Sequence, residues 1–247
     1  IDWTIWLGLA LGLTVILVGA WLENLNIGFL WNPAAGLIVG GGTLGAVIVR
    51  RGVSGVIDSL KALWKLQLKD NNDEAHKIEI AKLAWLSRSA QKNGVKAVES
   101  YAENTNDLLI AQGLLLVADC AEETQIKEVL ARRLDLEDEE GLQDSATFEA
   151  AGGFAPTFGI LGAVLGLIGV LRVLDRPEVL GVGIATAFVA TIYGIGSANL
   201  FFFPLAARLR ARHEVNMKRR EEIISVILGI GAKQPPRKII SQFNLPK

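Results

Sequence analysis

Cysteine, histidine and charge within the apolar runs are what this sequence of 247 residues has least of. The one cysteine, Cys120, excludes a disulfide within the sequence and suits a reducing compartment, where it reads as a small buried apolar residue. Two histidines, His76 and His213, stand far apart, and no Cys/His spacing suggests zinc or any other metal site. Both read as solvated surface. No nucleophile, base and orienting group lie at a useful spacing. The consecutive glycines Gly40, Gly41 and Gly42 are not followed by the Gly-Lys-Ser/Thr of a phosphate loop. A formal net charge of −1 leaves no basic excess for nucleic acid. These absences argue against an enzyme acting alone, against a nucleic-acid partner and against a cofactor.

What the sequence has is apolar length. Half of it, 51%, is hydrophobic, and the mean hydropathy is +0.36, as in a membrane protein with a substantial water-exposed part. Residues 3–22 are an uncharged run long enough to cross a bilayer at about 1.5 Å per residue. Trp3 and Trp6 mark one end, and Trp21 and Trp31 the other, where an aromatic belt places indoles. This span has no basic segment before it and no small-residue cleavage site, so it reads as a retained helix rather than a signal. Pro33 opens a second, glycine-rich span over 34–49, and two more lie between Phe154 and Leu209, joined by the charged turn 172–178. Arg50, Arg51, Lys61, Lys65 and Lys69 follow the second span, and Arg208, Arg210, Arg212, Lys218, Arg219 and Arg220 follow the fourth. The loop 23–32 holds no base. Basic flanks stay in the cytoplasm, so both termini and the middle segment are expected there. The expectation is an all-α membrane protein with four transmembrane helices: 1–50 carries the first two and 51–150 forms a cytoplasmic helical domain. The region 151–209 carries the last two spans, and 210–247 is a cytoplasmic C-terminal helix and tail.

Within the middle segment, Asn72 and Asp73 signal a helix start and Gly94 its end. Ile78, Ala81, Leu83, Ala84, Trp85, Leu86 and Ala90 give the apolar face. A short helix follows from Val95 to about Ala102, and 108–134 keeps helical spacing throughout. The acidic run Glu137, Asp138, Glu139, Glu140 reads as a solvated helix face. Trp64 and Trp85 read as core. Helix is expected to continue past Glu149 into the third span, and past Leu209 until Gly231 and Pro235-Pro236 end it. A short docking helix then closes the sequence.

The last two spans carry the strongest pattern. Gly159, Gly162, Gly166 and Gly169 form a stripe about 80° wide on one helix face, and Gly183, Ala187, Ala190, Gly194 and Ser197 form another. Small residues in line let backbones approach closely, which holds helices together in lipid. Two readings stand: the helices pack on each other, or the stripes build a crowded oligomer. Neither span has a carboxylate or a base within its apolar run, yet between them they carry Thr157, Thr186, Thr191, Tyr193, Ser197 and Asn199. Each hydroxyl either bonds back to its own helix, Thr191 to the carbonyl of Ala187, or faces water or a partner. An ion crossing hydrocarbon needs a counter-charge, which these spans lack. If the protein helps conduct ions, another polypeptide supplies the carboxylate and Thr191 lines the opposite wall.

Several motifs together resemble a known family. Ala155-Pro156 before Gly159-x-x-Gly162, Asp175-Arg176-Pro177, Leu180-Gly181, Ala190-Thr191-Ile192-Tyr193-Gly194, Ala198-Asn199 and Pro204 before Leu209 are similar to flagellar stator subunits of the MotA/PomA type. The resemblance runs through the whole sequence, including Gly41-Gly42-Thr43-Leu44-Gly45. The more distant TolQ and ExbB proteins carry one span before their large cytoplasmic part, where this sequence has two. The resemblance implies a bacterial inner-membrane homo-oligomer of five copies around two copies of a MotB-type subunit whose transmembrane Asp carries the ion. It also implies that the cytoplasmic part pushes the rotor protein FliG. Pro156 and Pro204 match the family's two functional prolines, and each frees a carbonyl one turn back and permits a bend. Thr191, Thr186, Ala163, Thr157 and Ser197 are the expected ion-path residues. Sodium-driven members carry Thr where Ala163 stands, so proton coupling is expected. Glu99 matches a rotor-facing acid, and Gln91 replaces a rotor-facing Arg, with Lys92 and Arg88 beside it. The alternatives are an energiser of an envelope process, as TolQ and ExbB are, and a passive membrane scaffold.

Overall fold

The computed structural model describes residues 3–24, 27–67, 72–175 and 177–243, and these are helical throughout apart from short turns. Four helices are long and apolar enough to cross a membrane: Trp3–Leu22, Pro33–Leu66, Glu123–Leu171 and Leu180–Gly231. The chain divides into two compact units, Ile1–Lys69 with Leu142–Ala211, and Asp70–Gly141 with Arg212–Lys247.

In the first unit, α1 (Trp3–Leu22) is apolar on every side and buries no residue, as a helix in lipid can. Asn32 caps α2 (Pro33–Gly36), its side chain accepting the Ala35 N–H at 3.0 Å, with Pro33 at the position where a missing N–H costs nothing. A π-helical turn, Leu37–Gly41, leads into α3 (Gly42–Gln67). Within α3 the backbone swings to φ +71° at Gly52, a conformation open to glycine at little cost. Just beyond, Ser59 is fully buried within hydrogen-bond distance of Asp144 (3.1 Å) and Thr147 (2.9 Å). Arg51 donates to Thr147 at 3.1 Å and to Gln143 at 2.6 Å.

The second unit is built around one aliphatic core. In α4 (Asn72–Asn93), Ile80, Leu83, Ala84 and Leu86 are buried, so Ile78 and Trp85, expected on the apolar face, are not: both are half exposed. Trp85 instead carries the Arg88 guanidinium over its ring at 5.5 Å. Trp64, likewise expected in a core, is 70% exposed. Gly94 (φ +72°) separates α4 from α5 (Val95–Asn104). Asp107 caps α6 (Leu108–Ala118) through the N–H groups of Leu109 and Ile110 and also receives the Arg220 guanidinium.

The pattern over 108–134 is not one helix. It breaks at Cys120, which turns through φ +56° and is exposed rather than buried, and α7 (Glu123–Leu171) begins after it. The apolar periodicity survives because both helices face the same core, through Leu109, Ile110 and Leu114 on one side and Ile126 and Leu130 on the other. After α8 (Pro177–Ser197), α9 (Phe203–Gly231) contributes Ile223, Val226, Ile227 and Ile230 to this core, and α10 (Pro236–Ser241) adds Ile239.

Both histidines depart from the solvated reading. His76 is 11% exposed with Nε2 at 2.6 Å from Glu222, and His213 is 14% exposed with Nε2 at 2.8 Å from Asp138. The His213 ring occupies the space a Cβ at Gly141 would fill, so the absence of a side chain there seats it. The acidic run is likewise only half solvated. Glu137 is largely covered, bonded to Arg133 (3.2 Å) and Arg220 (3.0 Å), whereas Glu139 and Glu140 are exposed. Arg133 one turn back on the same helix and Arg220 on α9 draw Glu137 into pairing. The Arg220 partner, 83 positions away, is not visible in local composition. Arg219, bonded to Asp73 at 3.0 Å, and then Lys77 hold the Asp73 carboxyl below the usual range. Burial, reinforced by the Glu79 carboxylate that its hydroxyl reaches at 3.0 Å, pushes the Tyr101 phenol up to about 12.

Candidate functional site: the glycine seam and its hydroxyls

The two small-residue stripes face each other within one subunit. A Cβ placed on Gly159 would lie 2.9 Å from the Ala190 carbonyl oxygen, and one on Gly166 2.9 Å from the Ala187 nitrogen. From the other helix, a Cβ on Gly194 would meet the Ala155 carbonyl at 2.6 Å, the Gly159 Cα at 3.0 Å and the Pro156 Cα at 3.1 Å. These neighbours are backbone and cannot rotate away. Gly162 faces the Ala190 methyl at 2.7 Å and Gly183 the Val170 methyl at 2.5 Å, contacts of the same seam. Gly169, part of the same stripe in sequence, meets nothing within 4 Å and lies beyond the contact.

The two prolines sit beside this seam. Pro156 lies inside α7, where its missing N–H leaves the Gly152 carbonyl without its helical donor. Gly152 in turn makes room for the ring of Phe203, the residue before Pro204, which a Cβ would approach to 2.7 Å. Ahead of Pro204, with only Phe203 between, Ala198–Phe202 form a π-helical turn. That is the local relief expected where a proline withholds a donor four residues on from Leu200.

Each hydroxyl expected along an ion path bonds back to its own helix. Thr157 donates to Phe154 (2.6 Å), Thr186 to Val182 (2.9 Å), Thr191 to Ala187 (3.3 Å) and Ser197 to Gly194 (3.1 Å). Such a hydroxyl has used its proton but keeps oxygen lone pairs that can accept from water or from an acid. For Thr186 one of those is already taken: Asn32 Nδ2 donates to it at 2.8 Å. Tyr193, which donates to the Leu30 carbonyl and receives the Asn32 N–H at 3.3 Å, ties the same loop to α8.

These residues therefore divide. At about 100° per residue, Thr186, Tyr193 and Ser197 lie on one flank of the α8 seam and Thr191 on the other. Ser197 and Tyr193 border a groove of about 540 Å³ that is also lined by α1, by Leu30, Gly36 and Thr43, and by residues of both π turns. Ala163 is half buried, and Thr157 is exposed on the side of α7 away from the seam. The sequence reading did not single out Asn32. Its signal was available: an Asn directly before a Pro that opens a helix.

The residues expected to meet a rotor all lie in the second unit, near the junction of α4 and α5. Arg88, Gln91, Lys92 and Glu99 are exposed, and Gln91 donates to the Lys233 carbonyl at 2.9 Å. Gln91 also borders a cavity of about 640 Å³ that Lys233, Gly94 and Cys120 help to line. Among the described residues, no group of three or more His, Cys, Asp or Glu could hold a metal ion.

Residues 101–222 match the MotA/TolQ/ExbB proton channel family. Motility protein A of Bacillus subtilis is 30% identical over 98% of this chain and 88% of its own length. Chemotaxis protein PomA of Vibrio alginolyticus is 29% identical over 96% and 92% respectively. Among solved structures, MotAB of C. jejuni superposes with a TM-score of 0.83 at 26% identity, covering 100% of this chain and 96% of that one. With a membrane bundle held by a glycine seam and an aliphatic second unit, the chain belongs to the MotA/TolQ/ExbB proton channel family as a multi-pass inner-membrane protein of the motility protein A type.

Proposed function

We infer that this chain is a stator subunit of the flagellar motor that works with a MotB-type partner. The observation that carries the reading is the end-to-end likeness to motility protein A and to a MotAB complex, which covers both units. The physics of the seam agrees with it. Residues 180–200 hold no ionisable group beyond the Tyr193 phenol, so they can wall an ion path but cannot carry the ion's counter-charge. A partner carboxylate completes the path.

The finer assignments extend that reading. Five copies surround two copies of the partner; 1–50 and 151–209 cross the membrane, while 51–150, 210–247 and both termini lie in the cytoplasm, as the basic flanks favour. Thr191 offers free lone pairs to the partner's acid or its water, because its own proton is spent on Ala187. Thr186 holds the Asn32 loop, and Ser197 lies on the opposite flank of α8 from Thr191. Thr157 lies on the side of α7 away from the seam, and Ala163 offers no oxygen that could help cage a dehydrated cation. Protons need no such cage, and Ala163 supplies no oxygen, so the coupling ion is the proton. Pro156 and Pro204 let the paired helices bend as the partner acid loads and unloads. Arg88, Gln91, Lys92 and Glu99 face FliG, and Gln91 does so from a side chain anchored on Lys233.

The test is a purified complex and one substitution. Co-expression with a MotB-type chain gives a stable assembly with unequal copy numbers. Thr191→Val leaves that assembly intact but removes an oxygen worth roughly 1–3 kcal/mol in an apolar setting, lowering proton flux and rotation about tenfold or more. Equal copy numbers, or full rotation with Thr191→Val, overturn the reading.

A further inference from the structure

The second span does not end its helix at Arg50 and Arg51. After the turn at Gly52, a further helical length, residues 53–67, follows at once. It has two apolar sides. One is covered: Ser59 and Leu66 are buried, and Leu66 packs with Phe148, Ala206 and Leu209, with Ile5 close by. The other is open. Val53, Ile57, Leu60 and Trp64 recur at i, i+4, i+7 and i+11, within an arc of about 60°. They are 61%, 47%, 54% and 70% exposed.

The covered side fixes the depth of this length. Ile5 stands at the beginning of α1 and Leu209 at the close of the fourth apolar run, so residues 53–67 lie level with the basic ends of the spans. The open stripe continues the lipid-facing surface above it, where Val49 is 89% exposed. Its flank is basic. Lys61 and Lys65 follow one turn apart beside the stripe, Arg50 precedes the turn, and Asp58, paired with Lys61 at 2.8 Å, is the single acid between them. An apolar stripe edged by Lys and carrying an indole is what a helix lying in a bilayer interface requires.

We propose that residues 53–67 are an interfacial helix. It lays Val53, Ile57, Leu60 and Trp64 into the boundary between headgroups and acyl chains, and it binds anionic phospholipid headgroups through Arg50, Lys61 and Lys65. A neighbouring copy of the chain would cover the stripe equally well but gives no reason for three bases along its edge. A negatively charged phosphate layer does. The proposal rests on the membrane-subunit reading above.

The test uses the full chain assembled with its MotB-type partner in nanodiscs of phosphatidylcholine, with and without phosphatidylglycerol. In a Cys120→Ser background, single spin labels are placed by Val53→Cys, Ile57→Cys, Leu60→Cys and Trp64→Cys. Ser54→Cys and Asp58→Cys report the polar side, and Leu11→Cys is a control within the first span. Collision with oxygen exceeds collision with an aqueous nickel chelate at the stripe, at a depth of roughly 5–10 Å, and the order reverses at 54 and 58. Co-purified lipid is enriched in phosphatidylglycerol, and Arg50→Gln, Lys61→Gln and Lys65→Gln each reduce that enrichment by about fivefold. Nickel reaching the stripe as readily as position 54 overturns the proposal, because the face is then solvated. Labels reached by neither reagent overturn it in favour of a second copy of the chain. Unchanged lipid enrichment removes the headgroup recognition. A Leu11 label that oxygen does not reach would instead sink the membrane reading itself.

Discussion

The α7–α8 seam and the aliphatic core of the second unit are both tightly packed, yet they are held by different forces. In the second unit, Ile80, Leu83, Leu109, Ile110, Leu114, Leu130 and Ile227 are all but fully buried, and the packing is side chain on side chain. Water drives that burial, at about 25 cal/mol per Å² of apolar surface removed from it. In the seam the partners are backbone atoms: Gly159 against Ala190, Gly166 against Ala187, Gly194 against Ala155. Lipid gives no comparable premium for hiding Leu, so the large residues Ile160, Leu161, Leu165 and Ile168 are left half exposed and the small ones make the contact. One molecule thus uses large residues inside where water surrounds it, and small residues inside where acyl chains do.

Three substitutions bear on this contrast. The largest effect is expected from Gly194→Ala, whose methyl would sit 2.6 Å from the Ala155 carbonyl oxygen. Neither backbone can yield without parting the helices, so the loss reaches the upper part of the roughly 1–3 kcal/mol range for overpacking. Thermal unfolding of the assembled complex, with hydrogen exchange resolving α7 and α8, measures it. A neutral result would break the comparison.

Next comes Tyr101→Phe in the second unit, which removes the hydroxyl bonded to Glu79 and lowers stability by about 1 kcal/mol at neutral pH. Its pH dependence has a definite sign. The phenol ionises near 12 in the folded protein and near 10.0 when unfolded, so its contribution is complete below 10 and is lost as pH rises through 12. Ultraviolet titration of the two tyrosines should lose its Tyr101 step in the variant, and unfolding curves should lose that alkaline component.

The smallest effect is expected from Gly113→Ala. Its methyl would meet the Ile227 Cδ1 at 2.9 Å, the Ile227 Cγ2 at 3.1 Å and the Leu130 Cδ1 at 3.1 Å, all side-chain methyls rather than backbone. The gain of about 1 kcal/mol in helix propensity offsets the crowding, leaving a net change within about 1 kcal/mol. Equal costs at Gly113 and Gly194 would mean that the distinction between backbone and side-chain neighbours is unimportant here.

How much of this could be read from the sequence depends on what each inference needed. Bounds of α1 follow from an unbroken apolar run, and the stripes of α7 and α8 follow from residue size at helical spacing. Both are local properties. Which of the two readings of the stripes applies within a subunit needed the other helix in view. The second unit was harder. Ile80 is in its core, while Ile78 and Trp85, both chosen by the same periodicity, are half exposed, because two overlapping apolar phases run along α4 and only the facing helices select one. His76 and His213 read as solvated, since their partners Glu222 and Asp138 lie 146 and 75 positions away. The corner at Cys120 leaves little signal because a helix break is hidden when both arms share a core. At the candidate site the hydroxyls and their division across two flanks of α8 follow from helical spacing, but Asn32 reaching Thr186 across 154 positions does not.

The π turn at Ala198–Phe202 sets a rule for insertions and deletions. A π turn holds one residue more than the regular coil, so striking out a single position there would let the helix close up as ordinary α. Everything downstream would keep its facing, because the extra residue is absorbed within the turn. Ala206 and Leu209 would stay against Phe148 and Leu66, whereas the same deletion in the regular coil between Pro204 and Leu209 would turn Leu209 away by about 100°. Chain length through the π turn is therefore less constrained than chain length just beyond it.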